Sequence, residues 1–140
     1  MERCFWEKGA VVCAVPVRSL NPFWDDPSKR KRLRRFFSRR EMNFAAKKFF
    51  PCERLAARLA AKRALLYLLR RCGYCFSLAF DRMEVLNQAS GLPWIRTSDR
   101  RLGNYLTSRK VRLGVSLTHT HETAFAFVVI EKQNREKTVS

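Results

Sequence analysis

The chain has 140 residues, about one domain, and folding buries roughly two-thirds of the surface of an unfolded chain of that size. A hydrophobic content of 46% with 11 Phe supplies a packed core and excludes a disordered chain. The net charge of +17, with a pI near 10.7, sets the sign of any partner: nucleic acid, anionic lipid, a phosphorylated ligand or an acidic protein.

From the N-terminus, MERCFWEKGAVVCAVPV holds no long apolar run; Ala10–Val17 is too short to span a membrane, and no A-x-A cleavage pattern follows it. The expectation is a cytoplasmic protein without a transmembrane segment. Five cysteines (Cys4, Cys13, Cys52, Cys72, Cys75) are an odd count, which argues against a complete disulfide framework. Ala10–Val17 is β-type, and Pro16, which cannot donate a ladder hydrogen bond, predicts an edge, a bulge or the strand end there. Asn21–Ser28 (NPFWDDPS) is turn-rich and reads as a loop with Phe23 and Trp24 tucked beneath it.

Lys29–Arg40 (KRKRLRRFFSRR) carries eight basic residues and no acidic one, and the pattern predicts a helix continuing through Phe50 on apolar contacts from Leu33, Phe36, Phe37, Phe44 and Phe49. A charge run is ordinarily a solvated face. This one is long and unmixed, with no counter-charge to offset its self-repulsion. Lys29, Arg30, Lys31, Arg32, Arg34, Arg35, Arg39 and Arg40 are therefore read as a face for an anionic partner.

Glu53–Arg71 (ERLAARLAAKRALLYLLRR) is the clearest helix: no internal Gly or Pro, strong helix formers throughout, Pro51 before it and Gly73 after it. Leu and Ala occupy almost every angle around its axis, so it reads as buried. Arg54, Arg58 and Lys62 nevertheless recur every four residues as a basic stripe. A buried cation needs an anion, either a carboxylate or a bound phosphate.

Cys72-Gly73-Tyr74-Cys75 has C-x-x-C spacing with no second pair or His cluster to complete a zinc site, so shielded thiols near a helix end are expected. Cys75–Leu86 predicts one or two strands, Ala89–Pro93 a turn, Trp94–Thr97 a return strand and Ser98–Lys110 a short helix. Val111–Leu117 and Thr123–Glu131 are β-rich runs joined through Thr118–Glu122 (THTHE). Residues 1–131 form a single domain and 132–140 a polar tail. Helices followed by strands predict an α+β fold, helices packed on a small and mainly antiparallel sheet.

Both histidines, His119 and His121, fall in that last connection beside Ser116. On a strand, His at i and i+2 point the same way and could chelate a metal, but the sequence nominates no third ligand. No nucleophile elbow surrounds Ser116.

Several segments, in order, resemble the holo-acyl-carrier-protein synthase type of 4′-phosphopantetheinyl transferase. Phe37–Glu41 matches an F-x-x-x-E segment, and Leu55–Ala64 (LAARLAAKRA) matches the family's L-A-A-R-F-A-A-K-E-A helix. Met83-Glu84-Val85, Ser90–Pro93, Val115–His119 and Phe125–Val129 follow as its I-E-V strand, S-G-x-P turn, V-S-L-S-H strand end and last strand. The resemblance covers Val11–Ile130 and implies a 4′-phosphopantetheinyl transferase-like fold. It also implies transfer of phosphopantetheine from coenzyme A to a serine of an acidic acyl carrier protein, in a homotrimer or in association with an active synthase. By the same resemblance Lys62 is the catalytic candidate. Arg58, Lys62, Arg63, Gly91, Pro93, Ser116 and His119 are the substrate-binding set, and Lys29–Arg40 faces the carrier protein.

The departures fall on the metal site. The family holds magnesium with a first-strand Asp and the Glu of A-A-K-E-A. Aligning Val11–Leu20 on that strand puts Pro16 at the Asp position, with Arg18 two residues on. Arg63 replaces the helix Glu, and Tyr67 stands where a second Lys is usual. Magnesium demands hard oxygen ligands, so the expectation is a protein without magnesium, impaired as a transferase and retaining coenzyme A or carrier-protein binding. One alternative is an active metal-independent transferase in which Arg63 stands in for the metal against phosphate. A basic nucleic-acid-binding protein is the alternative from another class, and membrane attachment through Lys29–Phe50 is a third.

Overall fold

The computed structural model describes residues 9–132; Cys4, the N-terminal reading and the tail beyond Lys132 lie outside them. Two antiparallel sheets flank one long helix. β1 (Gly9–Pro16), β5 (Thr123–Lys132) and β4 (Val111–His119) form a three-stranded sheet in the order β1-β5-β4, and β2 (Met83–Asn87) pairs with β3 (Pro93–Thr97). α4 (Pro51–Arg71) lies across the inner face of the larger sheet, against β5, β1 and β4. The α+β expectation holds, and so does the reading of Pro16 as a strand end.

Alternation sorts the larger sheet. Val15, Ala124, Ala126, Val128 and Ile130 point inward and are buried, while Val12, Phe125 and Phe127 point outward and are exposed. Small residues let α4 approach closely: Ala56, Ala60, Ala61 and Ala64 are fully buried, flanked by Leu55, Leu65 and Leu69. Burying each of those leucines contributes about 2 kcal/mol. The helix ends in a Schellman arrangement, Tyr74 N–H donating to Leu69 O at 2.8 Å and Gly73 N–H to Arg70 O at 3.1 Å. Gly73 sits at φ +86°, which a side-chain-bearing residue rarely adopts.

Asn21–Phe50 differs most from expectation. Asn21–Ser28 is not a loop: Pro22 starts α1 (Asn21–Asp25) and Pro27 starts α2 (Pro27–Arg30), where Asp26 caps by accepting from Ser28 N–H at 2.9 Å. Nor does one helix run to Phe50. The chain tightens into a 3-10 turn over Lys31–Arg35 and breaks at Phe36–Ser38. It restarts as α3 (Arg39–Ala46) on a capping box between Ser38 and Glu41. Leu33 and Phe37 are buried as expected, but Phe49 is 98% exposed and makes no core contact.

Of Cys75–Leu86 only the last four residues, from Met83, are strand, as the start of β2. α5 (Arg100–Ser108) is capped by Asp99 and anchored by the Tyr105 hydroxyl donating to Cys72 O at 3.0 Å. No helix among the described residues is long and apolar enough to cross a membrane.

Candidate functional site

The basic stripe of α4 runs inward. Arg58 is 3% exposed and Lys62 1%. Lys62 Nζ donates to Glu41 Oε1 at 2.6 Å, to Phe36 O at 2.6 Å and to Phe80 O at 2.8 Å. An ammonium has three N–H donors, so these acceptors use all of them. Burial pulls the Lys62 pKa down, and the Glu41 carboxylate opposes that shift. The anion that the buried lysine required is therefore Glu41, not a ligand phosphate. Expected as a phosphate-contacting and catalytic residue, Lys62 is spent in this structure on one carboxylate and two carbonyls.

Glu41 completes the node by accepting from Ser38 N–H and Val85 N–H, both at 2.9 Å. Arg58 Nε donates to Val85 O at 3.1 Å, and its guanidinium lies 4.4 Å from the Phe44 ring centre. The F-x-x-x-E segment, the A-A-K helix and the M-E-V strand thus meet at one buried ion pair.

A groove opens along the N-terminal half of α4. A cavity of about 170 Å³ is lined by Arg54, Arg58, Asn87, Gly91, Pro93 and His119, with Phe44, Ala57 and Leu117 as its apolar wall. Four of the expected substrate-binding residues, Arg58, Gly91, Pro93 and His119, are therefore together. Ser116 is not with them. It lies on the outer face of β4 opposite Phe127, because parity separates it from Leu117 and His119.

The residue that sequence reasoning missed here is Glu53, 6% exposed in the first turn of α4. His121 Nδ1 stands 2.5 Å from its Oε2, and His119 Nδ1 stands 2.9 Å from its Oε1 but outside hydrogen-bond geometry. Its sequence signal was only that of a carboxylate favoured at any helix N-terminus. Only His119 is on a strand; His121 sits in the turn after β4, so the i, i+2 chelate does not form. Among the described residues no three His, Cys, Asp or Glu side chains are grouped to hold a metal ion.

Arg63 is exposed, one residue from Lys62 but on the other side of the helix, and it continues as a solvent-facing stripe through Tyr67 and Arg70. The β1 side chain that feels its charge is Cys13: burial raises that thiol's pKa and Arg63 lowers it. Pro16 is exposed and on the opposite face of β1 from Cys13 and Val15. Of the β1 side chains, Cys13 is thus the one that senses Arg63, while Pro16 closes the strand on the outer face.

The basic run is largely exposed, as expected. Arg30 is half-buried, with Nε and Nη2 donating to Trp24 O at 2.9 and 2.6 Å and its guanidinium over the Trp24 ring. Trp24, Arg30, Lys31, Arg34 and Arg39 border an open cleft of about 810 Å³. Cys72 is half-buried and Cys75 exposed, so the C-x-x-C pair is less shielded than predicted.

No protein-family model matches the chain. Its fold is similar to that of the Chronobacterium ammoniagenes ACPS–CoA complex, with TM-score 0.75 and 21% identity over 91% of this chain and 98% of that one. It is also similar to a Bacillus anthracis holo-(acyl-carrier-protein) synthase in complex with CoA (3′,5′-ADP), with TM-score 0.66 and 25% identity over 89% and 96%. These define the fold class.

In sequence the chain is 34% identical over 99 residues to a holo-[acyl-carrier-protein] synthase of Chloroherpeton thalassium, 71% of this chain and 78% of that protein. It is 32% identical over 94 residues to one of Protochlamydia amoebophila, 67% and 75%. The chain belongs to the holo-[acyl-carrier-protein] synthase family.

Proposed function

We propose that this chain is a synthase homologue that binds coenzyme A and an acidic acyl carrier protein but is impaired in phosphopantetheine transfer. The observation that carries the reading is the contrast between adjacent positions of α4. At Lys62 the helix makes a buried ion pair with Glu41. At position 63, where relatives place a metal-binding carboxylate, the chain presents an exposed guanidinium beside the Cys13 thiol. Neither group is a hard oxygen donor, so these two residues do not fit a magnesium ion. A guanidinium can bind phosphate, but it cannot lend a metal's neutralising charge and ligand geometry to a leaving diphosphate.

Coenzyme A is assigned to the groove of Arg54, Arg58, Gly91, Pro93 and His119, with Arg54 as the half-exposed cation at its wall. The carrier protein is assigned to Lys29–Arg40, by charge complementarity. Self-association is assigned to the outer face of the larger sheet, where Val12 opposes Phe127 and Ala14 opposes Phe125 as one exposed apolar patch.

The test is to incubate the chain with apo carrier protein, coenzyme A and magnesium, alongside an active synthase. The expected result is coenzyme A binding by calorimetry, unchanged by magnesium, with no mass gain on the carrier. A carrier heavier by one phosphopantetheine, at a rate near that of the active enzyme, overturns the impairment. Coenzyme binding that Arg54→Ala leaves unaltered overturns the groove assignment.

A further inference from the structure

We propose that the loop between α3 and α4, Lys47–Phe50, is a contact tip for anionic lipid bilayers: a projecting phenyl ring inside a rim of cations. The proposal is independent of the transferase reading.

Phe49 is 98% exposed, more than any other large apolar side chain described, and Phe50 beside it is 55% exposed. A lone exposed phenylalanine needs no explanation, but this one is displayed by a fixed frame. Lys47 N–H donates to Phe44 O at 3.3 Å and Lys48 N–H to Ala45 O at 3.0 Å, closing α3. Glu53 N–H donates to Phe50 O at 3.2 Å as α4 begins. The Phe50 ring stands edge-on to His121 at 4.8 Å, and His121 is in turn held by Glu53. Lys48 Nζ lies 4.8 Å from the Phe44 ring centre. Every neighbour of Phe49 in the loop is tied down while its own ring projects.

The rim decides the partner. Lys47, Lys48 and Arg54 surround the tip, and Glu53, the carboxylate nearby, is turned inward between two histidines. An apolar tip ringed by cations matches a headgroup layer with negative charge above an acyl interior. Net charge of +17 steers the whole molecule toward such a surface.

Single-stranded nucleic acid fits less well, because base stacking needs a ring face backed by a rigid surface and Phe49 has none behind it. A second copy of the chain fits less well too. Two such rims repel, and the exposed carboxylates Asp25, Asp81, Glu122 and Glu131 are scattered over separate elements.

The experiment is co-sedimentation of the full chain with vesicles of phosphatidylcholine alone and of phosphatidylcholine with phosphatidylglycerol. Binding is expected only to the mixed vesicles, weakened about tenfold by Phe49→Ala and by the pair Lys47→Gln, Lys48→Gln. Because the three side chains are exposed, the thermal midpoint of each variant should match the parent's. In Phe49→Trp, indole emission should shift to the blue on adding mixed vesicles. No binding to mixed vesicles overturns the proposal. Binding that Phe49→Ala leaves unchanged also overturns it, by assigning the attraction to Lys29–Arg40. Loss of single-stranded RNA affinity in Phe49→Ala without loss of vesicle binding assigns the tip to nucleic acid and overturns it as well.

Discussion

Glu41 and Glu53 are both nearly buried, at 1% and 6% exposure, and both organise α4, yet they are placed for opposite purposes. Glu41 meets Lys62, two backbone amides and no water-facing partner, inside a shell closed by Phe37 and the start of β2. Glu53 meets His119 at the edge of the groove and His121, whose side chain is 75% exposed. A charge pair sealed from water is costly to break and has no donor left for a ligand. A carboxylate and imidazole cluster open on one side contributes less to stability and keeps polar groups within reach of a ligand. The comparison teaches that Lys62, at the buried end of the basic stripe, is spent on architecture, and that the half with a solvent edge keeps groups within reach of a ligand.

The sharpest way to break that contrast is Lys62→Met, which strands the Glu41 carboxylate in the core. Urea denaturation should show a loss of about 3–5 kcal/mol. Adding Glu41→Gln should restore part of it, since the amide stays near Ser38 and Val85 without a stranded charge. A Lys62→Met variant as stable as the parent would end the architectural reading.

Gly114→Ala comes next. A Cβ there would stand 2.8 Å from Val129 Cγ2, so overpacking of about 1–3 kcal/mol is expected in the same assay. Glu53→Gln should cost only about 0.5–1 kcal/mol, with an effect that shrinks in salt. A loss matching that of Lys62→Met would erase the distinction between the two carboxylates.

The smallest effect concerns Cys52, whose thiol burial pushes up to about 11, with Asp25 adding to the shift and Arg30 opposing it. At pH 9 it should alkylate far more slowly than exposed Cys75, as read by peptide mass mapping. The folded chain keeps this proton where the unfolded chain releases it. Its contribution to stability therefore falls as pH rises from 9.0 toward about 11. Lys62, with its pKa lowered, acts in the opposite sense. The difference between the parent and Cys52→Ala isolates the thiol.

Much of this fold was legible in particular residues. Pro51 and Gly73 marked the ends of α4 because each has a backbone that suits only those positions. The period-two runs near the C-terminus gave β4 and β5. Lys29–Arg40 was misread because eight like charges look the same in an α-helix, a 3-10 turn or a break, and the choice was made by burying Leu33 and Phe37. The motifs Phe37–Glu41 and Leu55–Ala64 were visible as patterns. That they answer each other could not be read, since Glu41 and Lys62 are 21 residues apart and both polar.

By itself the sequence determined the class of the chain, because order and spacing of motifs survive without coordinates, and it singled out Arg63 as a position that departs from the motif it resembles. Only the tertiary structure decided which cations of one helix are used up and which are on offer. A rotation of about 100° separates consecutive residues on an α-helix. That rotation puts Lys62 into a sealed carboxylate pair and Arg63 into solvent, a difference of direction that a linear string does not carry.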